Sequence, residues 1–100
     1  MEWPALPSEL TLFGQTYAVS IIADLAAATG HYGETHFDRN SISIDGACAR
    51  SVQWATLGHE VLHITDEALA LGLDEEEISR LDTGLFEFIG QLGIGGCTCK

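Results

Sequence analysis

Residues 51–69 read SVQWATLGHEVLHITDEAL. In this stretch Trp54, Leu57, Val61, Leu62 and Ile64 gather toward one side at helical spacing, with Ser51 or Arg50 near the start. That pattern predicts an amphipathic helix from Ser51 to Leu69. Gly72 is the expected stop, since glycine accepts the left-handed conformation that ends many helices. Beyond it, Ile78, Leu81, Leu85, Phe88 and Ile89 recur at helical spacing behind an acidic first turn that suits the helix dipole. A second helix is expected from Asp74 to Gly90.

Upstream the period changes. Leu10 to Phe13 and Gln15 to Ile22 are rich in β-branched and aromatic residues around Gly14, which predicts a hairpin. Ala23 to Thr29 suits either a short helix or an extension of the strand, and Gly30 and Gly33 then interrupt the chain. Gly33 to Phe37 and Ser41 to Asp45 flank the turn-like triplet Asp38-Arg39-Asn40. Ile42 and Ile44 alternate with serines, as on a half-buried strand, so a second hairpin is expected. Pro4 and Pro7 disfavour regular structure in residues 1–8, an expected lead-in with Trp3 packing back, and residues 91–100 read as a flexible Gly/Cys tail. Strands first and helices last predict one α+β domain over residues 1–100. Its expected plan is a small antiparallel sheet of two hairpins with helices on one face.

The length of 100 residues suits a single core, and 46% hydrophobic with 19% charged residues argues against disorder. Fifteen acidic residues against four basic ones give a net charge of -11, which repels phosphate backbones and anionic membrane surfaces. Neither nucleic acid nor a membrane is therefore an expected partner. There is no apolar run of the ~20 residues a span needs and no leader pattern, so a cytoplasmic location is expected. Cys48, Cys97 and Cys99 are odd in number, which gives no disulfide framework.

Within the predicted helix lies His59-Glu60-Val61-Leu62-His63. Residues four apart on a helix lie one turn above each other, so the two imidazoles can meet one ion, with zinc the expected cofactor. Glu60 follows the first histidine by one position. Its carboxylate would stand beside the ion rather than on it, as a general base for the attacking water. A catalytic zinc takes three protein ligands, and the candidates for the third are acidic. Relative to the apolar face of the second helix, Glu77 borders the inward side, Glu75 lies on the opposite border and Glu76 points away, so Glu77 is the preferred ligand. Asp74 with Glu77 also spells a capping box, in which Glu77 would only satisfy backbone donors. Asp66 could brace a ligand histidine or itself ligate. His31, His36 and Tyr32 read as exposed or packing residues before they read as site residues.

The run from Thr56 to Asp66, with Gly72-Leu73 and Glu75-Glu76-Glu77-Ile78 after it, resembles small zincin-like metallopeptidases found among phage and prophage proteins. Phe13 to Val19 and Ser41 to Ile44 are similar to the strands that precede the active helix in that group. More remotely the chain is similar to the ImmA/IrrE-type peptidases, in which a glutamate on a later helix completes the site. The resemblance implies a minimal zincin-like fold, zinc, and hydrolysis of a peptide or protein substrate. Asp82 stands where the group leads one to expect a small residue. The alternative is a catalytically inactive zincin-derived binding or regulatory module that keeps the metal for structure, a reading supported by the small surface that 100 residues leave for a cleft.

Overall fold

The computed structural model describes residues 3–91. The expected Gly/Cys tail, with Cys97 and Cys99, lies outside the described residues beyond Gln91. Strand β1 (Glu9–Leu12) reverses into β2 (Gln15–Ile22) through Phe13 and Gly14 alone, with Leu12 opposite Gln15. Both turn residues have positive φ, 52° and 78°, the pair of left-handed conformations whose twist matches a two-residue hairpin. A short helix α1 (Leu25–Thr29) follows, then β3 (Gly33–His36) and β4 (Ser41–Asp45), then the long helices α2 (Arg50–Leu69) and α3 (Glu75–Gln91).

The four strands lie in the order β1-β2-β4-β3. Strands β1 and β2 are antiparallel, as are β3 and β4, but β2 pairs with β4 in parallel, from Ala18 opposite Ser41 to Ile22 opposite Asp45. The sheet is therefore mixed, not the antiparallel sheet of two hairpins that the sequence led us to expect. The reason lies in which strand takes the middle. β4 carries Ile42 and Ile44, 0% and 1% exposed, and gains most by being covered on both edges. β3, with the sequence GETH, is polar enough to stand at the open edge.

One face of this sheet carries the core. Tyr17, Ile42 and Ile44 pack against Leu57 and Ile64 of α2, with Leu6, Leu10, Leu12, Val19, Trp54 and Val61 around them. The stripe that α2 buries is Gln53, Leu57, Glu60 and Ile64, so the glutamate of the metal motif faces the sheet side while the histidines do not. The lead-in is tied down: Trp3 stacks on Phe86 of α3 at 5.0 Å between ring centroids, and Trp54 Nε1 donates to the Pro4 carbonyl at 2.7 Å. At the far end of β4, buried Asp45 accepts hydrogen bonds from the Cys48 thiol and the Ala26 N–H, and these hold its pKa below the ordinary value.

Helix α2 ends before Gly72. Ala70 adopts φ 52°, with Leu71 N–H bonded to the Asp66 carbonyl and Ala70 N–H to the Glu67 carbonyl, the Schellman pattern with an alanine in the left-handed seat. A side chain there is strained where glycine is not. Ala70→Gly is expected to stabilise the protein by about 1 kcal/mol, read as a higher urea midpoint at unchanged m-value. A lower midpoint would contradict this account of the cap.

Candidate metal centre

On α2, His59 and His63 turn their Nε2 atoms toward the same point, 3.1 Å apart. Glu75, the first residue of α3, meets both: its Oε2 lies 2.6 Å from His59 Nε2 and its Oε1 3.1 Å from His63 Nε2. Among the described residues these three form a group able to hold a metal ion, with donor atoms all within 4.8 Å of one another. Two nitrogens and one carboxylate oxygen are a donor set that zinc accepts, and donors on a tetrahedral zinc sit about 3.3 Å apart. The two nitrogens, 3.1 Å apart, and the 3.1 Å from His63 Nε2 to Glu75 Oε1 come within a few tenths of an ångström of that value, while His59 Nε2 is met by the other oxygen, Oε2. That contact, 2.6 Å, is a hydrogen-bond distance, so a proton on His59 competes with a metal ion for the same nitrogen.

The other ring nitrogen of His59 is also held. Its Nδ1 lies 2.5 Å from Asp82 Oδ2 on α3. A carboxylate only accepts, so with Asp82 at Nδ1 and Glu75 at Nε2 the ring carries a proton on both nitrogens here; loss of the Nε2 proton would turn that nitrogen's lone pair into the cluster while Asp82 holds the other. Burial of the imidazole opposes its charge, but the hydrogen bond to Asp82 and the negative charge of Glu75 outweigh burial and raise its pKa above the ordinary value. The His59 side chain is 19% exposed and that of Glu75 67%, so the cluster opens to solvent on the Glu75 side.

Glu77, the ligand preferred from the sequence, is not in this group. Its carboxylate accepts the Asp74 N–H at 2.9 Å while Asp74 accepts the Glu77 N–H at 2.8 Å, which completes the capping box. Glu76 pairs with Arg80 in solvent, and Asp66 accepts the Leu73 N–H, tying the turn between the helices. His36 lies beside Glu34 on β3, while His31 and Tyr32 are exposed before that strand. The inward face of α3 expected from the sequence runs through Ile78, Leu81 and Leu85; Ile78 is buried, but Leu81 and Leu85 are 48% and 47% exposed. The face turned to α2 runs through buried Ile78 and half-buried Asp82 and Phe86, with Glu75 at its exposed end. That orientation points Glu75 and Asp82 at the α2 histidines and leaves Glu77 in the capping box. Asp82 was missed as a site residue, although its spacing of seven from Glu75 and four from Ile78 places all three on one helix face.

Glu60 lies on the sheet side, 7% exposed, with Oε1 accepting a hydrogen bond from Thr35 Oγ1 at 2.6 Å. Cys48 is no competing nucleophile, because burial and the Asp45 carboxylate beside it push its thiol pKa up.

A histidine whose pKa is raised on folding stabilises the metal-free protein fully below its unfolded value of 6.5, and that contribution is lost as the pH rises through the higher folded value. Chelator-treated protein is expected to melt at lower temperature as pH rises above 6.5, and Asp82→Asn to flatten the trend. The same variant should bind zinc about 10- to 100-fold more weakly, as expected when the partner of a ligand histidine is lost. Equal affinity of variant and parent would remove Asp82 from the centre.

No protein-family model, curated protein or solved structure matches this chain, so the reading of the centre rests on its own geometry.

Proposed function

We propose that the chain is a zincin-like zinc hydrolase acting on peptide bonds, with His59, His63 and Glu75 as metal ligands and Glu60 as general base. The observation that carries this reading is the convergence of both Nε2 atoms and the Glu75 carboxylate, with the first histidine fixed through its other nitrogen. A zinc ion held there supplies a Lewis acid that polarises a carbonyl and acidifies water. Glu60 follows His59 by a helical step of about 100° and faces β3, with Thr35 against its carboxylate. From there its carboxylate can take the proton of the attacking water and return it to the leaving amine.

A peptide has a natural place in this reading. Asp45 N–H bonds to the Tyr32 carbonyl, so antiparallel alternation turns the backbone groups of Gly33 and Thr35 to the open edge of β3. An extended chain pairing with that edge would run past the strand that contacts Glu60. No helix among the described residues is long and apolar enough to cross a membrane.

The second reading is a catalytically inactive module in which the metal staples α3 to α2. It is favoured by the burial of Glu60 and its hydrogen bond to Thr35, which serve as a structural tie without any reaction. Metal analysis is expected to find one zinc per chain in the parent and in Glu77→Gln, and little in His63→Ala or Glu75→Gln. Glu60→Gln should keep the zinc and lose cleavage of a peptide library by at least about 10²-fold. Full zinc in Glu75→Gln would refute the ligand set, and equal cleavage by Glu60→Gln and parent would refute the general base.

A further inference from the structure

Glu60 is a carboxylate with two oxygens in different situations. Oε1 is occupied by the Thr35 hydroxyl at 2.6 Å. Oε2 has no hydrogen-bond partner among the described residues, and none of their buried side-chain oxygens is left without a partner. Oε2 therefore keeps access to solvent although Glu60 is 7% exposed. Beside it is Gly33, also on β3. A Cβ added there would lie 3.3 Å from Oε2, 3.4 Å from the Glu60 Cγ and 2.5 Å from the Thr56 Cγ2. The glycine's φ lies outside the left-handed region, so the constraint is space and not backbone conformation.

We infer that Thr35 is a positioning residue for Glu60: its hydroxyl holds Oε1, the bare Cα of Gly33 lets β3 close on Thr56 and on Glu60 of α2, and Oε2 is the proton-accepting atom. The inference rests on the reading of Glu60 as general base. A monodentate hold of this kind fixes the torsion of the carboxylate and leaves one lone-pair direction for a water proton. It also gives β3 two uses, because the backbone of Gly33 and Thr35 faces the open edge while the Thr35 hydroxyl and the bare Cα of Gly33 face the base. A peptide paired to that edge would press on the strand that orients the base, so binding and base position are coupled through three residues of chain.

The test uses the full chain with Thr35→Val, Thr35→Ser, Gly33→Ala and Glu60→Gln. Zinc content is measured first and is expected to match the parent in all four. On a peptide that the parent cleaves, Thr35→Val should lower kcat by about 10²-fold with KM within about twofold, the loss expected of a catalytic group misplaced by about an ångström, and Gly33→Ala, whose Cβ meets the Thr56 methyl first, should lower kcat as β3 is pushed off α2. Thr35→Ser, which keeps the hydroxyl, should recover most of the loss. Independently of turnover, the melting temperatures of metal-free Thr35→Val, Glu60→Gln and the double variant should be non-additive, with the double variant close to the lower single. Parent-like kcat in Thr35→Val overturns the positioning role while leaving the hydrolase reading standing. Additive melting shifts overturn the Thr35–Glu60 coupling itself. A parent that binds zinc but cleaves no peptide overturns the hydrolase reading, and the assignment of Oε2 as proton acceptor falls with it.

Discussion

Every feature of the centre depends on one helix serving two neighbours at once, the sheet and α3. Successive residues on α2 are separated by 100°, so Leu57, Glu60 and Ile64 bury toward the sheet while His59 and His63 project toward α3. In this fold the histidines of the motif and its glutamate turn to different neighbours. The sheet supplies Thr35 for Glu60, and α3 supplies Asp82 and Glu75 for the histidines.

That division makes the rotation of α3 decisive. Its apolar residues form a broad arc, and the arc alone admits several ways of lying on α2. The polar pair at His59 and His63 selects among them. An imidazole left half-buried without a partner costs more than an exposed leucine, because an unpaired buried polar group forfeits its hydrogen bonds to water while a leucine at the surface is common. Leu81, Leu85 and Phe88 are accordingly left about half exposed so that Asp82 can reach His59. Electrostatics has thus taken precedence over apolar burial in setting the register between the two helices.

The sheet follows a parallel logic. β3 is short, polar and at the edge, which is where the chain tolerates a glycine and a threonine pressed against a carboxylate. β4, with its two fully buried isoleucines, takes the middle and carries the packing load. The element that contacts Glu60 is therefore not the element on which stability rests. This separation leaves the edge strand free to serve a site.

Much of the plan was legible in the chain itself. The positions of α2, β2, β4 and the first hairpin follow from local periodicity and turn chemistry, which act over a few residues and need no knowledge of the rest. The pairing of His59 with His63 is equally local, since one turn of helix sets it. Three matters were decided only by the tertiary structure. The parallel pairing of β2 with β4 depends on which strand takes the middle of the sheet. That Glu75 and not Glu77 meets the histidines depends on the rotation of α3, because a capping glutamate and one facing α2 look alike in a run of three glutamates. The parts of Asp82 and Thr35 depend on contacts spanning 23 and 25 residues of chain. Sequence patterns report what a residue prefers of its neighbours along the chain, and these partners meet only after the helices and the sheet have packed.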